Sequence, residues 1–248
     1  MQRPHDRDAH LTFYPVPHEY RVDGQTGFTS VTTWVHSHFP KFDAPGAARR
    51  KLGKGASSEA VNDLVAEWSE KGKEASSAGT EMHEAIEHYY TQGKELPDTK
   101  ELTMFRDFRD QYKDMVPYRS EWSVWDMGAK LAGTIDMVYR LPDGKLAIYD
   151  WKRCKQIRKA GFGGRCALHP AIDYVPDSNY WHYTLQLNVY RNILERLYGV
   201  EVDHCALVQL HPDQVRYRVF KVPNMQQEVS NLLAARQSCL EGAGEVSA

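Results

Sequence analysis

The sequence predicts an α/β fold, with strands and amphipathic helices in one chain. Three observations carry this. Glu121–Asp126, Leu131–Arg140 and Lys145–Lys152 are rich in branched and aromatic residues and are joined by short turns, so they predict a three-strand antiparallel meander. Apolar residues recur at helical spacing before it, in Ser57–Lys71 and again around Met82–Tyr90, and after it, in Tyr183–Tyr198. Two more strand-like runs, Cys205–Leu210 and Val215–Val222, precede a last amphipathic helix, Met225–Leu240.

A chain of 248 residues can bury a sizeable core, as one domain or one with an embellishment. Its formal net charge of −2 gives no global basic field, so any nucleic-acid surface must be local. No apolar run is long enough to span a bilayer, and the charged start Met1-Gln-Arg-Pro-His-Asp-Arg-Asp8 lacks a signal-peptide core. These features predict an intracellular protein without a membrane partner. Cys154, Cys166, Cys205 and Cys239 form no Cys-x-x-Cys pair, and they are expected to be free thiols rather than zinc ligands or disulfides.

In chain order, Leu11–Val22 carries two prolines and is followed by Asp23-Gly24, which predicts an irregular hairpin ending at Phe28. Ser30 is a candidate N-cap for a short helix that Pro40 stops. A second short helix is expected over Pro45–Leu52, where Arg49, Arg50, Lys51 and Lys54 make either a solvated face or a phosphate-contacting patch. The next helical stretch contains Gly79, which costs about 1 kcal/mol against Ala and suggests a close approach by another backbone or a substrate. His83 lies one turn on, and Gly93 closes the pattern. Thr99–Met115 predicts a further helix ended by Pro117. Leu141-Pro-Asp-Gly144 is a turn between strands. After Lys152 the chain is expected to be irregular to about Trp181, with Arg153, Lys155, Arg158, Lys159 and Arg165 interleaved with glycines and aromatics. Such a loop can grip a phosphate chain and stack bases. A small polar tail is expected from Glu241.

Asp136 falls mid-strand and Asp150 near the end of the next strand. Paired carboxylates in half-buried strands repel and are costly, and a divalent cation removes both costs. Lys152 is two residues after Asp150, so the two share a face. Two carboxylates and a lysine on adjacent strands suit phosphodiester hydrolysis, with a metal binding the phosphate and acidifying water and the lysine offsetting developing charge. Asp-x-Lys alone is common, and a surface hairpin with ordinary charges has the same residues.

The order Gly79-Thr80…His83 on a helix, Gly133-Thr-Ile-Asp136 and Asp150-Trp-Lys152 on strands, then Gln186-Leu-Asn-Val-Tyr190 on a helix resembles the PD-(D/E)XK nuclease superfamily, within it the RecB-like branch. The resemblance covers about residues 79–198. It implies a restriction-endonuclease-like α/β core, a central mixed sheet flanked by helices, with an N-terminal hairpin and helical cap over residues 1–78, the core over 79–241 and a flexible tail over 242–248. It implies metal contacts by His83, Asp136, Asp150 and the Trp151 backbone carbonyl. It also implies catalysis by Lys152, and positioning by Gln186 and Tyr190. Glu121 is a further candidate on the first strand, where a structural salt bridge is the alternative. Thr29-Ser-Val-Thr32 also looks like the start of some of these nucleases. Ser30, Arg49, Arg50, Arg153, Lys155, Arg158, Lys159, Tyr180 and Trp181 form the expected nucleic-acid contact set. Mg2+ is the implied cofactor, with Mn2+ able to replace it. The second acidic position is Asp150 where many RecB-like members carry Glu. No cysteine precedes His83 and only Cys205 and Cys239 follow the Gln-x-x-x-Tyr helix, so no iron–sulfur cluster is expected. The expected function is a DNase acting on single strands or ends. A flap endonuclease and a non-catalytic nucleic-acid-binding subunit are the alternatives.

Overall fold

The computed structural model describes residues 4–17 and 19–245. A 3-10 helix, Asp6–His10, leads into a short hairpin, β1 (Leu11–Tyr14) and β2 (Glu19–Val22). Then come β3 (Thr29–Ser30), α1 (Val31–Ser37), α2 (Ala44–Leu52), α3 (Ser58–Gln92) and α4 (Lys100–Gln111). The meander is β4 (Val116–Asp126), β5 (Leu131–Arg140) and β6 (Leu146–Lys152), followed by α5 (Asn179–Leu197), β7 (Val202–Gln209), β8 (Arg218–Lys221) and α6 (Gln226–Glu245). No helix among the described residues is long and apolar enough to cross a membrane.

The main sheet is mixed, as expected. The pairs β3–β5 and β6–β7 are parallel, and β4–β5, β5–β6 and β7–β8 are antiparallel. Its two faces bury different clusters because successive strand residues point to opposite sides. On one face α1, α5 and α6 pack Trp34, Leu185, Val189, Ile193 and Val229 against Leu131, Ile148 and Leu207. On the other, α3 and α4 pack Met82, Ile86, Phe105 and Phe108 against Met137, Tyr149 and Trp151.

Several boundaries differ from expectation. The two helical patterns around Gly79 form one helix of 35 residues, because no proline or cap interrupts them between the Ser57 N-cap and the left-handed Gly93. The expected domain boundary at residues 78/79 therefore falls inside an unbroken helix. Nor do the first 78 residues make a separate cap: β3 joins the main sheet, and Val31 and Trp34 lie in its core. Pro117 starts a strand rather than ending a helix, at a register shift next to Tyr118 that tolerates the missing donor. Helix α6 runs to Glu245, past the expected start of the tail. The segment after Lys152 is held by two 3-10 turns, and α5 begins at Asn179.

Candidate active site

The site lies in a gap in the sheet. β4 occupies one edge of β5 along its whole length. On the other edge β3 pairs with Leu131 and Ala132, and β6 pairs with Met137 to Arg140. Among the described residues, 133–136 between them pair with no strand on that edge. The backbone groups of β6 beyond Tyr149 therefore need other partners. The Trp151 N–H donates to Asp136 Oδ2 at 2.9 Å, and the Trp151 carbonyl meets His83 Nε2 at 3.0 Å. Where the sheet would otherwise continue, two polar side chains take the place of a strand.

That arrangement passes a test for a cation. An imidazole nitrogen against a carbonyl oxygen must carry the hydrogen, so in the neutral ring His83 Nδ1 is a bare lone pair. It faces Asp136 Oδ2 at 3.5 Å and Glu121 Oε1 at 4.0 Å. One donor atom from each of His83, Glu121 and Asp136 lies within 4.8 Å of the others. Three lone-pair groups converging on one point are satisfied together only by a proton or a metal. Glu121 lies opposite Asp136, between the pairs Ser120–Met137 and Trp122–Ile135. Its backbone is left-handed, φ 48°, an unusual conformation for a non-glycine residue in a strand.

Burial first, and then the carboxylates of Asp136, Glu87 and Asp150, push the Glu121 carboxyl up to about 9. The metal-free folded protein thus holds a proton there that the unfolded chain has lost. This stabilisation is complete below the unfolded value near 4.5 and disappears as pH rises through about 9. Glu121→Gln is therefore expected to raise the Tm of the metal-free protein at alkaline pH, with little effect near pH 4.5. Thermal denaturation in EDTA across this window checks it; parallel profiles for the two proteins would refute it.

Asp150 and Lys152 flank Trp151 in β6, on one face as expected. Asp150 is 2% exposed, and its Oδ2 meets Lys152 Nζ at 2.7 Å. Burial pushes the Asp150 carboxyl up to about 6 against the opposing pull of Lys152, and Asp136 adds to the rise. Lys152 is held firmly protonated: the Asp150 and Asp136 charges outweigh the opposing effect of its burial. Its Nζ also lies 4.5 Å from the Tyr183 ring centroid, a cation–π contact from α5.

Gln186 hydrogen-bonds the hydroxyl of Tyr190, one turn on along α5. Tyr190 is buried and abuts Gly133 of β5, where an added Cβ would stand 2.6 Å from the hydroxyl oxygen and 2.9 Å from Cε1. Gly133 is therefore small because Tyr190 must reach the strand carrying Asp136. Gly133→Ala is expected to cost about 1–3 kcal/mol by overpacking and to lower activity by displacing β5. Pairing it with Tyr190→Phe relieves the hydroxyl clash only, so the double variant should recover part of the Tm.

The expected nucleic-acid residues divide. Ser30 caps α1, with Oγ 3.1 Å from the Thr33 N–H. Arg49 and Arg50 are exposed and line a recess of about 530 Å3 with Lys54. They are not brought to the site. Their neighbour Lys51 lies over Trp68, and Trp68 is about 22 Å along α3 from His83. Lys155, Arg158 and Lys159 line a recess of about 950 Å3 beside α5. Two expectations need correcting. Arg153 is committed to a largely buried ion pair with Glu101 of α4 at 2.8 Å, which anchors the segment after β6. Tyr180 is only 3% exposed, so its ring offers no free face for a base. Trp181 is half-buried, and its indole N–H donates to the Lys159 carbonyl. No other backbone makes the close approach expected at Gly79: outside its own helix backbone, an added Cβ would meet no described protein atom within 4 Å.

Sequence reasoning missed Glu87 and Tyr183. Glu87 is one turn on from His83, and its carboxylate helps push the Glu121 carboxyl up. Tyr183 is one turn before Gln186. Helical spacing from the recognised residues could have found both.

A mixed sheet with paired carboxylates, a lysine beside them and a cation-competent cluster at its gap holds the groups that metal-assisted hydrolysis of phosphate esters requires. Residues 30–245 match the PD-(D/E)XK nuclease superfamily, and the chain belongs to that superfamily. It is a nuclease with a restriction-endonuclease-like α/β fold, and these nucleases use divalent metals. Among solved structures it is similar to SSO0001, at 14% identity over 87% of this chain and 77% of that one, TM-score 0.35. It is also similar to a candidate exonuclease from Eubacterium rectale, at 15% identity over 86% and 79%, TM-score 0.38. No curated protein matches the chain.

Proposed function

We propose that this nuclease is a magnesium-dependent DNase of the RecB-like branch, with manganese able to substitute, and that it degrades single strands or DNA ends as an exonuclease. The observation that carries the exonuclease reading is the path of residues 40–79. The chain leaves the core at Phe39, whose ring lies 4.0 Å from His182 at the start of α5, one residue before the Tyr183 that covers Lys152. It returns at buried Met82, next to His83. The excursion formed by α2 and the first part of α3 thus starts on the Lys152 side of the site and ends on the metal side. A strand reaching the gap between them passes a covalently continuous arm, and a free end passes most readily.

Asp136, Asp150, His83 and Glu121 are the residues that would hold the ion. A divalent metal held there would supply charge to offset the scissile phosphate and would acidify a water for attack. Lys152 stays protonated beside Asp150 and offers its remaining N–H groups to charge building on the phosphate. Tyr183 and Asp150 limit where that ammonium can move. Tyr190, braced by Gln186, fixes β5 and with it Asp136.

The test is digestion of end-labelled single-stranded DNA with Mg2+, Mn2+ or EDTA, beside a flap substrate whose ends are blocked. Metal-dependent release of short products from the free end supports the reading. A single cut at the base of the blocked flap would turn it to a flap endonuclease. No cleavage with either metal would point to a binding subunit.

A further inference from the structure

Beside the site lies a recess that nothing in the chemistry above uses. Its wall runs from Lys155 to Gly163 and is closed by Asp177, Ser178 and Asn179. This segment is a fixed ledge rather than a free loop. The Arg158 N–H donates to Asn179 Oδ1 at 2.9 Å, Asn179 Nδ2 donates to the Gln156 carbonyl at 2.8 Å, and the Lys159 carbonyl accepts from Ser178 and Trp181. At its tip, Gly163 and Gly164 both adopt left-handed backbone and hold Phe162 outward, 65% exposed. The one carboxylate in the wall, Asp177, is already engaged by Arg165 and His182, each at 3.0 Å. Lys155 has only an exposed partner, Asp213. Among the described residues Arg158 and Lys159 have no ion-pair partner; Arg158 reaches the neutral Gln156, and Lys159 lies over the Tyr180 ring.

We propose that this recess binds an unpaired nucleotide of the substrate strand, its base stacked on Phe162 and its phosphate held by Arg158 and Lys159. The inference rests on the nuclease reading and adds to it the requirement for a single strand, since a paired base has no face to give Phe162. The occupant follows from charge and position. An exposed phenyl ring beside unpaired cations matches a base linked to a phosphate. The recess also adjoins the site: Asn179 in its wall is one helical turn, about 6 Å, before the Tyr183 that covers Lys152. Phe162 takes the stacking role that burial denies Tyr180.

Binding of a fluorescein-labelled oligothymidylate to Asp150→Asn protein with Mg2+, read by anisotropy, tests this. Phe162→Ala is expected to weaken binding about tenfold, while Phe162→Trp keeps it. An oligonucleotide with abasic positions should bind the Phe162-containing protein as weakly as the intact one binds Phe162→Ala. Arg158→Ala and Lys159→Ala should each flatten the salt dependence. Because Phe162 is exposed, its removal leaves the fold intact. Wild-type-like binding by Phe162→Ala, or equal binding of intact and abasic strands, overturns the proposal even if the enzyme cleaves DNA. Phe162-dependent binding, with a wild-type protein that cleaves no DNA in Mg2+ or Mn2+, would instead keep the recess and sink the DNase reading.

Discussion

Asp150→Ala is expected to lower the rate of metal-dependent cleavage by about 10³-fold or more. It removes a carboxylate that would help hold the ion and the partner that holds Lys152 in place at 2.7 Å. The same change leaves an ammonium in a largely buried position with one counter-charge fewer. Breaking such a pair from one side costs about 3–5 kcal/mol, so lost activity alone would be ambiguous. Lys152→Met separates the effects. The methionine fills the volume of the lysine stem, and Asp150, freed of the cation that pulls its pKa down, keeps its proton. That protein should fold with a near-native Tm and remain inactive. Asp150→Asn with Lys152→Met removes both charges and should be at least as stable as the wild type, because desolvation of a buried pair offsets much of its attraction. Thermal denaturation beside cleavage rates checks all three. Near-wild-type cleavage by any of them would move the chemistry away from this strand.

A circular single strand is expected to be cut at least about 100-fold more slowly than the same sequence made linear, equivalent to about 2.7 kcal/mol in barrier. The reason is the proposed role of the arm of residues 40–79, whose ends flank the site. On that proposal a linear strand would enter end-first, and a closed circle would reach Lys152 only if the arm lifted. Phe39 is 3% exposed and Met82 is 3% exposed, so both hinge points are anchored by buried side chains. Linear and circular substrates of identical sequence, followed for initial rate at one metal concentration, decide it. Equal rates would show that the arm is no barrier and favour the endonuclease.

The strands of the meander, the chemistry on them and the Gln-x-x-x-Tyr helix were legible from the sequence for one physical reason. Period two in Leu131–Lys152 and period 3.6 in Tyr183–Tyr198 are local properties, and Asp150 and Lys152 must share a face whatever packs above them. His83 was recognisable through its place in an ordered set of motifs rather than through its surroundings. The Ser30 cap, too, is a local matter of a hydroxyl against the first free N–H groups of α1.

What only the tertiary structure decided concerns partners distant in sequence. The gap between β3 and β6 that admits Asp136 and His83 to the backbone of Trp151 depends on which strands share one edge of β5. Glu121 became a member of the cation-competent cluster because α3 delivers His83 and Glu87 to the strand opposite Asp136. Arg153 looked like a phosphate contact until α4 supplied Glu101, and Tyr180 looked like a stacking platform until packing buried it. Sequence patterns fix which face a side chain takes; burial and charge pairing across the fold fix what remains on that face for a substrate to find.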